Sequence, residues 1–330
     1  MRHLWWLLLL ATPVQAAPGP VPDYAPLARV RTHIQATDLA REFVGVLAQL
    51  LGSRYEVIGD RESAGSLIWL RDYQPIYTRD ATQHLRAIHT RSLLPERNNQ
   101  RFPGDPPPTE LGLVLEHGNL VVAGERVFLT ERVLDDNGGK GAGEAGVIAR
   151  LATVLDRPAA DIIILPQLPG ESTGHIDLFL LPVADDTVLV PRILPEALEG
   201  LSESEWLIGH TAANFLDAQS ERLAGMGLKV KRLSMLPPRI MPSVDSSGED
   251  AVFFSPANAL LLNIQGRRTV LLPDLHPSAL RASHRRLFQQ YRKQWAGTFQ
   301  GLGWKPVFAD ATELARYLGF FRCLTAVVPE

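Results

Sequence analysis

Gly174-His175-Ile176-Asp177-Leu178-Phe179-Leu180-Leu181-Pro182-Val183 leads through an Asp185-Asp186 turn into Thr187-Val188-Leu189-Val190. An apolar β-rich run, a turn signal and a second β-rich run make a hairpin. Its entrance carries a histidine and an aspartate two residues apart. On a strand, positions i and i+2 share a face, so His175 and Asp177 are expected side by side. That spacing suits a structural His–Asp pair as well as a general acid beside a ligand-binding carboxylate.

The same plan recurs on either side. Leu120 to Ala123, a Gly124-Glu125 turn and Arg126 to Thr130 form one hairpin. Ala259 to Ile264, a turn at Gly266 and Arg268 to Leu272 form another. Helical stretches separate them. Thr37 to Leu51 has a stripe at Leu39, Phe43, Val46, Leu47 and Leu50, with Thr37 or Asp38 placed to cap it. Further helices are expected over 145–155, about 211–224 and about 279–299. Asp310-Ala311-Thr312-Glu313 has a capping-box pattern, residues 66–77 read as strand then turn, and Phe321 to Val328 as a final strand. Residues 91–110, with Pro95, Pro103 and Pro106 to Pro108, read as a long irregular loop of the kind that often carries function. Hairpin-plus-helix recurrence indicates an α/β chain built from a repeated module. No linker divides it after residue 110, so residues 17–330 are expected to form one domain.

Residues 1–16 stand apart. Arg2 and His3, the apolar stretch Trp5 to Leu10 and the small-residue site Val14-Gln15-Ala16 have the layout of a secretory signal peptide. The run is too short to span a bilayer, so a secreted or periplasmic protein with no membrane span after processing is expected. The formal net charge of -3 gives no sign of a nucleic-acid partner. The single cysteine, Cys323, cannot form an intramolecular disulfide. It is a buried inert thiol, an intermolecular bridge or a reactive thiolate.

Five polar patterns interrupt apolar segments: Trp69-Leu70-Arg71-Asp72, Glu116-His117-Gly118-Asn119, Gly174-His175-Ile176-Asp177, Pro256-Ala257-Asn258 and Arg322-Cys323-Leu324-Thr325. Buried charges need partners, and each group has a plain reading. Asp72 could pair with Arg71, Glu116 could tie down backbone amides, Asn258 could close a turn and Cys323 could be a core thiol. Together they also make a chemical set. Carboxylates match a planar guanidinium bidentately. Two of them can hold its nitrogens while a thiolate attacks the central carbon and a histidine protonates the departing amine. Cys323, His175, Asp177 and Asp72 supply that set, and the chemistry needs neither metal nor cofactor. The nine histidines show no metal-ligand spacing. Gly138, Gly139, Gly141 and Gly143 lack a phosphate-loop context and read as a loop or site flap.

In order and content these motifs resemble the bacterial peptidylarginine deiminase/agmatine deiminase family, from about residue 66 to the C-terminus. The resemblance implies the pentein fold, a five-bladed ββαβ propeller. It also implies hydrolysis of a guanidino group to a ureido group through an amidino-cysteine intermediate, with the amidinotransferase and a degenerate guanidine-binding pentein as the other outcomes on this fold. Asp72 and Asp177 then match the guanidinium-binding acids, His175 the catalytic histidine and Cys323 the nucleophile. Asn258, Glu116, Asn119 and Trp69 match residues around the substrate, and Arg97 resembles the loop arginines that hold a substrate carboxylate. The chain departs from the family at three places. Arg322 stands where a histidine usually precedes the cysteine, and Gln74 and His117 stand at usual glycines.

Overall fold

The computed structural model describes residues 17–98, 100, 102–139, 143–243 and 247–330. The signal-peptide assignment and Gly141 fall outside them. Among the described residues no helix is long and apolar enough to cross a membrane.

Five sheets repeat one plan: an antiparallel hairpin whose second strand pairs in parallel with a third. In the first, Ile76–Arg79 and Leu85–Arg91 are followed by Pro108–Val114. The second is Val121–Ala123, Arg126–Thr130 and Ile162–Leu165. The third is Leu181–Ala184, Thr187–Ile193 and Lys229–Met235. The fourth is Leu260–Ile264, Arg267–Asp274 and Lys305–Asp310. The fifth joins the two ends of the chain: Thr325–Pro329 lies antiparallel to Leu27–His33, which is parallel to Tyr55–Ile58. Gly19–Pro20 adds a fourth strand to the first sheet, and Arg239–Pro242 with Glu249–Val252 forms a separate hairpin.

A parallel third strand requires a crossover, and in four units a helix supplies it. These are Glu144–Leu155, Glu203–Gly225, Ala282–Gly301 and, in the fifth unit, Ala36–Leu39 with Arg41–Leu51. Each buries one stripe; Phe288, Tyr291, Trp295 and Phe299 do so on the fourth. The Glu203–Gly225 helix starts earlier than the sequence suggests, because Ser202 and Glu205 close a capping box. The first unit has no such helix. Its crossover is the irregular segment after Arg91, with one short 3-10 turn at Pro95–Arg97.

Several local expectations are corrected. The Thr37–Leu51 helix breaks at Ala40, and neither Thr37 nor Asp38 caps it. Residues 65–73 form a 3-10 turn and a short helix, Leu70–Tyr73, rather than a strand. The final strand is Thr325–Pro329, which leaves Cys323 in the turn before it. Asp310 opens a turn by accepting from the Thr312 backbone and hydroxyl, and a 3-10 helix at Leu314–Tyr317 follows. Gly138 lies in the turn after Arg132–Asp135, Gly139 follows it, and Gly143 is the N-cap residue of Glu144–Leu155.

Candidate active site

All five polar motifs take the same place in the repeat, the short segment leading into the first strand of a unit. Asp72 precedes Ile76–Arg79, and Glu116 to Asn119 precede Val121–Ala123. His175 to Asp177 precede Leu181–Ala184, Asn258 precedes Leu260–Ile264, and Cys323 precedes Thr325–Pro329. Equivalent positions in repeated modules bring them to one end of the fold, although up to 251 residues of sequence separate Asp72 from Cys323.

The segments are fastened to one another. Arg71 donates its backbone N–H to the Cys323 carbonyl at 3.1 Å, docking the Leu70–Tyr73 helix on the cysteine turn. Asn119 accepts from the Thr130 backbone and hydroxyl, and Thr130 Oγ1 donates to the Gly174 carbonyl at 2.6 Å. Ser255 Oγ donates to Leu178 O at 2.5 Å, tying the Asn258 segment to the histidine segment. His175 and Asp177 sit at the cap and inside of a 3-10 turn, Ile176–Leu178, not on a strand. The turn is entered through Gly174 at φ +70, which favours glycine. Gly118 is needed for space: a Cβ there would lie 2.4 Å from His175 Nδ1. Gly118→Ala should therefore push the ring off Glu116 and lower the His175 pKa. Titration of the imidazole by NMR checks this, and an unmoved pKa would contradict it.

Cys323 is 6% exposed. Asn258 Nδ2 donates to its Sγ at 3.2 Å, and the thiol faces Asn258 Oδ1 at 3.4 Å. Burial holds the thiol pKa well above its ordinary value, and the charges of Asp177 and Asp72 push the same way. Both acids are thus near enough to act on the sulfur, which rests as a neutral thiol. Burial lowers the His175 pKa, but Asp72 and Glu116 overcome it and bring it up to about 9. Nε2 is 3.1 Å from Glu116 Oε2 and Nδ1 is 3.8 Å from Asp72 Oδ1. His175 is therefore an imidazolium at neutral pH. Burial, then Glu116, raise Asp72 to about 6 against His175 and Arg97. Burial also works to raise Glu116, but its bond to His175, the charges of His175 and Arg97, and Ser92 hold it at about 2. Asp177 is fully buried and raised by that burial, against the charges of Arg322 and His175. Neither of its oxygens has a hydrogen-bond partner, and Asp72 Oδ1 has none. Three carboxylate oxygens thus lack hydrogen bonds, although Asp177 stays ion-paired with Arg322 at 3.3 Å.

Some expected roles change. Asp72 does not pair with Arg71, whose partner is Asp23 at 2.8 Å and 3.1 Å. Arg97 is not free to hold a carboxylate. Its Nη1 donates to Asp72 at 3.1 Å and to Glu116 at 2.5 Å. Asn119 is a fastener through its Oδ1, and Trp69 lies against Gly319 and the main core rather than among the polar groups. Asp72, Glu116 and His175 offer donor atoms within 4.8 Å of one another, a set that could hold a cation. The three departures from the family pattern collect beside the site. Gln74 Nε2 is 3.0 Å from His117 Nδ1, and Gln74 Oε1 accepts from Val327 N. Arg322 bonds Asp23 at 2.6 Å, and its Nε lies 3.3 Å from Asp177. The sequence offered no signal for Asp23, an acid in a Pro/Ala-rich lead-in.

No protein-family model and no curated protein matches the chain. Solved structures do. The agmatine deiminase of C. jejuni aligns over 95% of this chain and 96% of its own, with TM-score 0.68 and 14% identity. A variant of that enzyme with substrate bound aligns over 100% and 99%, with TM-score 0.66 and 12% identity. The agmatine deiminase of Enterococcus faecalis aligns over 96% and 98%, with TM-score 0.65 and 16% identity. The chain has the mixed α/β fold of these deiminases.

Proposed function

We propose that the chain is a guanidine deiminase, with its five hairpin-plus-parallel-strand units arranged as the blades of a propeller around the site. The observation that carries this is that Cys323, His175, Asp72 and Asp177 come from equivalent places in separate units, with Asp72 Oδ1 and both Asp177 oxygens lacking a hydrogen bond. A guanidinium held by both acids screens the charge that keeps Cys323 protonated. The thiol proton then leaves to solvent, and the sulfur bonds to the central carbon. The imidazolium of His175 gives its proton to a nitrogen as that C–N bond breaks, releasing ammonia and leaving an amidino group on sulfur. Neutral His175 next takes a proton from water, whose oxygen bonds to the same carbon. The C–S bond breaks, and the ureido product leaves. Export would direct the activity to peptidylarginine or another extracellular arginine derivative rather than to agmatine inside a cell.

Ammonia and ureido product from purified protein, with arginine-terminated peptides, arginine and agmatine offered in turn, test this reading; no product from any would refute it. Because the Cys323 proton must leave to solvent, kcat/KM should rise with pH, most steeply below about 6 where Asp72 must also ionise, and should stop rising near 9, where His175 loses its proton. A profile still rising above pH 10 would remove His175 as the acid. A second reading, guanidine binding without turnover, is favoured by one observation: Arg97 and Arg322 already face Asp72 and Asp177. Labelling of Cys323 by a haloacetamidine separates the two, because only a competent nucleophile is alkylated.

A further inference from the structure

We propose that Arg97 is a resident guanidinium that competes with the ligand for Asp72, and so sets how tightly this site takes guanidines. The proposal rests on the guanidine-binding part of the reading above and not on turnover.

Arg97 presents to Asp72 the group that the ligand would present. One terminal nitrogen bridges Asp72 Oδ2 and Glu116 Oε1, while Nε donates to the Ser66 carbonyl at 3.2 Å. Its side chain is 6% exposed. The Asp72 carboxylate is therefore half used, with Oδ2 on Arg97 and Oδ1 without a hydrogen bond.

Charge leads to the same place. The buried acids Asp72 and Asp177 and the half-buried Asp23 and Glu116 face Arg71, Arg97, Arg322 and protonated His175. Four negative groups meet four positive ones. A further cation entering so dry a cluster leaves it with an uncompensated charge, which is costly. The cost disappears if a resident cation leaves as the ligand arrives. Arg71 and Arg322 are both anchored on Asp23, and His175 is wedged against Gly118, where a Cβ would lie 2.4 Å from its ring. Among the described residues Arg97 is the arginine of this cluster whose ion-pair partners are Asp72 and Glu116 alone. It sits on the three-residue turn Pro95–Arg97 in the one unit whose crossover is not a long helix, beside the exposed Leu93 and Leu94.

The test is calorimetric titration of ethylguanidinium into the full chain at pH 7.5, for the natural protein, Arg97→Ala, Arg97→Gln and the double variant Arg97→Ala/Asp72→Asn. Removing the competitor should tighten binding by about tenfold or more in both single variants, and Asp72→Asn should cancel the gain. Arg97→Gln keeps the length of the side chain without its charge, so it carries the test if the alanine variant does not fold. Binding that is unchanged or weaker in a folded single variant would make Arg97 a structural strut and overturn the proposal. Ammonia release is measured in parallel. Tighter binding with no product in any variant would refute the catalytic reading and leave this one standing. Product formation with unchanged binding would do the reverse.

Discussion

On the mechanism proposed above, Cys323→Ser should lower kcat for deimination by about 10³-fold or more, while the protein stays folded and still binds ethylguanidinium. The size follows from what the sulfur is asked to do. The amidino group must be carried covalently between two half-reactions, and a serine hydroxyl beside Asp177 and Asp72 is far harder to ionise than a thiol in the same field. The fold should tolerate the change, because serine nearly fills the space and still reaches Asn258, whose Nδ2 and Oδ1 lie 3.2 Å and 3.4 Å from the sulfur. Turnover is read from ammonia release and binding from calorimetry on the same sample. Retention of even a tenth of the natural rate would show that another group forms the bond to carbon, and the mechanism above would fall.

Some of the geometry was legible in the sequence and some was not, for reasons visible in particular residues. Three hairpins were legible because Gly124, Asp185-Asp186 and Gly266 interrupt β-rich runs. The fifth unit was not, because its strands come from opposite ends of the chain and no local pattern links Thr325 to Thr32. His175-Ile176-Asp177 read as strand because a short apolar run fits several local structures; the left-handed Gly174 sends it into a 3-10 turn. The Arg71–Asp72 pair failed for a geometric reason. Adjacent residues on a helix do not face each other, so Leu70–Tyr73 points Arg71 to Asp23 and Asp72 to Arg97. Arg97 was noticed for the right property, a guanidinium in an irregular loop, and assigned the wrong partner. Without the fold, nothing said that Glu116 and Asp72 would reach it first.

Arg322→Leu should destabilise the protein by about 3–5 kcal/mol, the range for breaking one side of a buried ion pair. Arg322 is 2% exposed and stands between Asp23, at 2.6 Å, and Asp177, at 3.3 Å. Burial and the charge of Arg71 lower its pKa, whereas Asp23 and Asp177 hold its proton on. Asp23 keeps Arg71 when Arg322 is removed. Asp177 keeps no ion pair and has no hydrogen bond to fall back on. Its pKa, already raised by burial, should climb further, and below that pKa the carboxyl can no longer hold a guanidinium. Sign matters here. An acid whose folded pKa lies above its unfolded value binds protons more tightly when folded, so the Leu variant should lose more stability as pH rises past the unfolded value near 4. Urea denaturation at pH 5 and pH 8 checks this, with the larger deficit expected at pH 8. The double variant Arg322→Leu/Asp177→Leu removes both charges and should regain most of the loss, since replacing both partners by apolar groups is often neutral. A single variant costing under about 1 kcal/mol, the range of an exposed pair, would mean that Asp177 is kept ionised by something other than the arginine next to the nucleophile.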